Sequence, residues 1–141
     1  MKRRVFLDTN IFIYAFEFPD SNSGKVVDLL NKGQIEAVIS ERVLKEVQAY
    51  FKKFHDKDLA ALFRDYLLRT CVLVFPTDLK REMLKYKKLI KAKDLEQVAA
   101  VKKLGIKYLL SYDRDFELFE EYMTPKAFVK ESGGKPAASV Y

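Results

Sequence analysis

"FLDTNIFIYAF", residues 6–16, governs how the rest of the chain is read. An apolar run enters Asp8, Thr9 and Asn10, and apolar residues then resume. A strand ending in a carboxylate, a hydroxyl and an amide either closes in a polar turn or delivers side chains into a site. One aspartate cannot separate the two. The decision rests on where the other strands end and which acids stand there.

Working outward, "VFL" (5–7) has the character of a short buried strand. "SNSGKVVDLLNKG" (21–33) offers cap residues, apolar positions at Val26, Val27, Leu29 and Leu30, and a terminating Gly33, the pattern of a helix. "EAVIS" (36–40) is a second strand. From Glu41 to Phe54 the apolar residues recur at helical spacing, "HDKD" interrupts, and Leu59, Leu62, Phe63, Tyr66 and Leu67 mark a further helix. "CVLVF" (71–75) is a third strand closed by Pro76. Thr77 can cap a helix carrying Leu79, Met83, Tyr86 and Ile90. Another helix runs through Leu95, Val98, Val101 and Leu104 to Gly105. "IKYLLS" (106–111) is a fourth strand, and "KAFVK" near the end reads as an edge strand. Strands alternating with helices call for a three-layer α/β/α domain around a mainly parallel sheet. One domain over 1–130 accounts for the pattern, and the tail 131–141 has little to pack and is expected to fray.

Composition narrows the chemistry. The chain has 141 residues, is 49% hydrophobic and carries a net charge of +6, which fits an ordered domain and tolerates a polyanionic partner. Cys71 is the lone cysteine and His55 the lone histidine. A disulfide framework, a structural zinc site and a Ser-His-Asp triad all lack their parts. The basic N-terminus meets Asp8 before a signal-peptide core can form, and no apolar segment is long enough to span a bilayer. A cytoplasmic protein with no membrane contact is expected.

Sites in open α/β sheets form beyond the carboxyl ends of the strands. Asp8 ends the first strand. Asp113 and Asp115 follow the fourth strand in "LLSYDRDF". Glu46 lies in the second turn of the helix after strand two, on the flank of its apolar stripe. Asp94 opens the helix that feeds strand four, where the macrodipole favours a carboxylate. All five belong to one edge of the sheet. Unit charges ~4 Å apart repel by ~4 kcal/mol near a protein surface, so such a cluster takes up protons or shares cations. Oxygen ligands without His or Cys suit Mg²⁺ or Mn²⁺, ions that activate water and stabilise a phosphodiester under attack. Thr9, Asn10 and Ser111 could add polar contacts. Taken singly, Asp94 is better explained as a helix cap, Asp113 with Asp115 as a turn, Glu46 as a solvated acid beside Arg42, and the three polar residues as local turn formers. Their joint placement points to an acidic metal site.

These segments together resemble the PIN-domain ribonucleases, in particular toxins of the VapC type. "FLDTNIFIY" is similar to the family's opening strand and first acid, and "ISERVLKEV" to its second-acid helix, with Glu46 in that place. "KAKDLEQVAAVKKLGIKYLLSYDRDF" matches its third segment through Asp94, Ser111, Asp113 and Asp115, and "TPKAFVKE" resembles its closing strand. The likeness runs from about Val5 to about Val129, and the ordered set is more specific than any one motif. Ser111 stands where Thr is frequent and keeps the hydroxyl. The resemblance implies Mg²⁺- or Mn²⁺-dependent RNA cleavage, a homodimer and, for toxins, a small antitoxin protein. It assigns catalysis to Asp8, Glu46, Asp94 and Asp113, and metal binding to Asp8, Asp94, Asp113 and Asp115. "KREMLKYKKLIKAKD" (80–94) is the most basic stretch of its length and runs toward the acids, so Lys88, Lys91 and Lys93 are candidate RNA contacts. A solvated lysine face would look the same.

Three alternatives stay open. A phosphatase of the haloacid dehalogenase type would need a second acid two residues after Asp8, where Asn10 stands. A stand-alone RNA-processing PIN nuclease would share every motif. So would a catalytically silent PIN-like domain that only binds RNA or protein.

Overall fold

Five short apolar runs form parallel strands: β1 (Arg3–Leu7), β2 (Ile35–Ser40), β3 (Cys71–Val74), β4 (Tyr108–Leu110) and β5 (Tyr122–Met123). The computed structural model of the chain describes residues 2–141. The strands lie in the order β3-β2-β1-β4-β5, and every pairing is parallel. Parallel strands need helices on both faces, and Val5, Phe6, Leu7, Val38, Ile39, Leu109 and Leu110 are accordingly buried without alternation.

The crossovers set the layers. α1 (Thr9–Glu17) and α2 (Asn22–Asn31) join β1 to β2, and α3 (Glu41–Phe54) and α4 (Lys57–Thr70) join β2 to β3. The chain then reverses direction across the sheet through α5 (Lys80–Tyr86) and α6 (Ala92–Leu104) to reach β4. Right-handed crossovers place helices on opposite faces when the direction reverses. Consistent with this, α1 packs on α2 and α3, and α3 on α4, while α5 pairs with α6. This is the three-layer α/β/α architecture that the sequence pattern predicts, with the sheet wholly parallel. The reversal opens a crevice between the carboxyl ends of β1 and β4, the switch point where such sheets bind ligands.

Two local expectations are corrected, and one unassigned stretch gains a helix. "KAFVK" is not an edge strand but part of α7 (Pro125–Glu131). Thr124 accepts a hydrogen bond from the Ala127 amide and Pro125 occupies the first helical position, a start signal strong enough to override the β-branched content. The helix expected to reach Ile90 ends at Tyr86. Beyond it Lys87 and Lys88 offer no apolar contact, and the Leu89 amide closes a turn on the Tyr86 carbonyl instead. The resumed apolar residues after Asp8, left unassigned in the sequence, form α1, which buries Ile11, Phe12 and Ile13.

The tail has more to hold than its composition suggests. The fully buried Asn22 side chain donates to the Ala137 and Ser139 carbonyls and accepts from the Ala137 amide. The Tyr141 ring lies 4.5 Å from that of Tyr14.

Candidate active site

Asp8 follows the last residue of β1 and caps α1: its Oδ1 accepts the Thr9 amide at 2.9 Å. Its Oδ2 accepts the Ser111 hydroxyl at 2.7 Å, and the Asp8 amide continues the ladder by donating to the Leu110 carbonyl. The carboxylate is therefore fixed by the strand it ends, the helix it starts and the loop after β4. Burial is the main influence on it and raises its pKa above the ordinary value. The Ser111 and Thr9 hydrogen bonds oppose that rise, and the nearby Glu46 charge adds to it.

Glu46 comes from α3. Its Oε1 accepts the Thr9 hydroxyl at 2.7 Å, and its Oε2 lies 3.7 Å from Arg42 Nε. Thr9 thus ties the second acid to the first, its amide on Asp8 and its hydroxyl on Glu46. Asn10, exposed on the first turn of α1, makes no hydrogen bond to the other site residues among the described residues.

Asp94, Asp113 and Asp115 converge: each can direct a carboxylate oxygen so that all three lie within 4.8 Å of one another. Asp94 is 5% exposed, and its Oδ2 is buried with no hydrogen-bond partner. A helix-cap role would satisfy that side chain. Instead no side chain caps α6, and the Asp94 carboxyl is left for the crevice. Burial, then the Asp113 charge, push its pKa up to about 6. Asp113 does make the expected turn, its Oδ1 accepting the Asp115 amide at 2.9 Å and its amide donating to Ser111 Oγ at 3.0 Å. Turn and site coexist, because Oδ2 stays free of that turn. Asp8 stands beside the trio rather than within it, its charge contributing to the raised pKa of Asp94.

An orphaned buried oxygen among clustered carboxylates is costly unless a proton or cation offsets it. Hard oxygen donors with no nitrogen or sulfur fit a Mg²⁺- or Mn²⁺-sized ion. Two lysines lean on the same acids: Lys91 Nζ lies 3.0 Å from Asp115 and Lys93 Nζ 3.5 Å from Asp113. The Asp94 and Asp113 charges raise the Lys93 pKa. Lys88 sits exposed in the turn after α5, outside these pairs.

Two residues of the site carried no signal of their own in the sequence. Gln97 is 2% exposed, one turn beyond Asp94 on α6, with its Oε1 unpartnered and its side chain close enough to the Asp8 carboxyl to oppose the rise of that group's pKa. Glu96, 9% exposed, accepts the Arg42 amide at 2.7 Å. Both lie in the stretch of α6 that is buried from Asp94 to Val101.

With this edge described, the comparison with known families is decisive: the sequence model of the PIN domain matches residues 5–121. The chain belongs to the PIN domain family. No curated protein matches the sequence significantly. Among solved structures, this PIN domain resembles a toxin-antitoxin complex from Klebsiella pneumoniae with a TM-score of 0.68 and 20% identity, over 86% of this chain and 97% of that one. It resembles VapBC-1 from nontypeable Haemophilus influenzae with a TM-score of 0.65 and 19% identity, over 86% and 98% of the respective chains. A sarcin-ricin loop cleaving toxin from Mycobacterium tuberculosis superposes with a TM-score of 0.61 and 18% identity, over 81% and 93%. At such identities the likeness establishes the fold. The PIN domain here also has no helix among the described residues that is long and apolar enough to cross a membrane.

Proposed function

We propose that this PIN domain is a divalent-metal-dependent endoribonuclease and the toxin of a toxin-antitoxin pair. The observation that carries the reading is the convergence of Asp94, Asp113 and Asp115 around a buried, unpartnered Asp94 oxygen. Asp94, Asp113 and Asp115 would hold Mg²⁺ or Mn²⁺, with Asp8 beside them. When bound, such an ion supplies Lewis acidity and a water acidified enough to attack a phosphodiester.

The chain's own residues do the rest. Ser111 and the Thr9 amide fix Asp8, and Thr9 Oγ1 fixes Glu46, so both acids enter the crevice in set orientations. Glu46 is the half-exposed acid at the crevice mouth, held at Oε1 by Thr9 and faced at Oε2 by Arg42. Lys91 and Lys93 stand where phosphate oxygens of a single strand would approach, and can exchange an aspartate for a phosphate.

Two further features support a toxin over a stand-alone nuclease. The structural neighbours include toxin-antitoxin complexes. An open apolar groove of about 400 Å³, lined by Phe12, Phe16, Val27, Leu59, Leu62 and Phe63, runs between α1, α2 and α4, and suits the apolar residues of a small partner. A homodimer and a cytoplasmic site of action belong to the same reading.

The test is cleavage of mixed RNA, including structured ribosomal fragments, by purified protein in Mn²⁺, in Mg²⁺ and in chelator. The expected result is cleavage that chelator abolishes and that falls at least about a hundredfold in Asp8→Asn. Equal cleavage by wild type and variant, or cleavage indifferent to chelator, defeats the proposal.

A further inference from the structure

The two helices that bring acids to the crevice, α3 with Glu46 and α6 with Asp94, are joined by a single charged hydrogen bond. The first amides of any helix lack internal partners. In α3, Ser40 Oγ accepts the Val43 amide at 3.3 Å, which leaves the Arg42 amide without a local acceptor. Glu96 Oε2 accepts it at 2.7 Å from across the fold, 54 residues away. Glu96 is 9% exposed, so its carboxylate is placed at the positive end of a helix and desolvated there, the geometry in which such a contact is strongest. Arg42 then lies one turn before Glu46, with its Nε 3.7 Å from Glu46 Oε2. Glu46 in turn meets Thr9 and through it Asp8.

We infer that Glu96 is a positioning residue: by capping α3 from α6 it sets where α3 presents Glu46 relative to Asp8 and Asp94. This rests on the nuclease reading only for its kinetic consequence. Glu96 is two residues from Asp94 in sequence, yet Oε2 is committed to a backbone amide rather than to the acid trio, so what it supplies is an acceptor and not a ligand charge. That distinction makes the role separable from a fifth acid of the site. An amide oxygen can accept the Arg42 N–H as a carboxylate does, whereas a hydrocarbon cannot.

The full chain is prepared as Glu96→Gln, Glu96→Leu and each of these combined with Glu46→Gln. Amide exchange is measured by NMR without metal, and RNA cleavage is measured with Mn²⁺. In Glu96→Gln, Arg42 amide protection and kcat stay within about threefold of wild type, because the acceptor is kept. In Glu96→Leu, Arg42 amide exchange quickens about tenfold or more. Its kcat falls about tenfold with KM for RNA held within about twofold, as expected for lost orientation of a reacting group. In the Glu46→Gln background the same substitution adds less than about twofold, since it acts through Glu46. Three results overturn the inference: Glu96→Gln as damaging as Glu96→Leu, an Arg42 amide unchanged in Glu96→Leu, or losses that multiply fully with Glu46→Gln. Should Glu96→Leu not fold, Glu96→Gln decides alone, near-wild-type exchange and kcat upholding the cap and their loss rejecting it. Should the wild type cleave no RNA, the nuclease reading fails, while the exchange measurements still decide whether Glu96 caps α3.

Discussion

Asp94 carries the sharpest physical consequence of any residue in the crevice. Its carboxyl, pushed up to about 6 by burial and by Asp113, would titrate near 3.8 in the unfolded chain. A raised acid is neutral and costless in both states at low pH. As pH climbs through 3.8 the unfolded chain ionises first, and the folded state falls behind until pH passes about 6. The metal-free protein therefore loses stability across that window, by on the order of 2–3 kcal/mol at most. Asp94→Asn removes the penalty. In chelator its Tm should exceed the wild type's by several degrees at pH 7.5, by less at pH 5, by little near pH 4, and by nothing once pH is well below 3.8. Calorimetric scans across pH check this, and a Tm gain independent of pH would contradict it. The same residue shows what was legible. Asp8, Glu46, Asp94, Asp113 and Asp115 could be placed from strand ends and helix starts, because charge at a strand terminus is conspicuous. Glu96 and Gln97 could not. On a helix with lysines at both ends they look like solvated polar residues, and only the packing of α6 against β2 turns them inward.

At the scale of elements, the first of the two helices expected around the basic stretch from Lys80 to Lys93 stops at Tyr86, short of Ile90, and a turn joins it to the second. Local propensity favoured continuity, since Lys, Leu and Met are good helix formers. Past Tyr86 the chain turns, the Leu89 amide donating to the Tyr86 carbonyl, and Ile90 reaches the core from that turn instead of from a continued helix. The break matters because it frees Lys91 and Lys93 to reach Asp115 and Asp113, and leaves Lys88 exposed nearby. For RNA binding, Lys88→Gln with Lys91→Gln should lower affinity and flatten the slope of log affinity against log salt by about one or slightly more, at roughly 0.7 per lost phosphate contact. The fold should survive, as both side chains are exposed. Fluorescence anisotropy with a labelled single strand at several salt concentrations measures both quantities, and an unchanged slope in the folded double variant would return this segment to a solvated lysine face. The C-terminal helix α7 is the complementary lesson. "KAFVK" has strand composition, but Thr124 and Pro125 begin a helix just before it, and the start signal outweighed the composition.

For the whole molecule, the decisive feature is the reversal of strand order between β1 and β4, which gathers acids from four separate stretches into one crevice. Alternating apolar segments were enough to read the α/β class and the parallel sheet. The apolar groove was not readable, because Phe12, Phe16, Val27, Leu62 and Phe63 look like ordinary core residues until α1, α2 and α4 are seen to leave a space between them. Leu62 is 64% exposed on that groove, so Leu62→Asp should leave the fold intact. The complex with the proposed antitoxin should weaken more than about tenfold in a titration of the two purified proteins. Undiminished affinity would exclude the groove as the partner's seat. The proposed metal centre is tested most directly by titrating Mn²⁺ into the metal-free protein and counting bound ions by electron paramagnetic resonance, for wild type and Asp94→Asn at pH 7.5. Saturable binding by the wild type, weakened at least about tenfold in Asp94→Asn, is the expected result. Equal affinity in the two proteins, or no saturable binding by the wild type, would contradict an acidic metal centre built on the buried Asp94 oxygen.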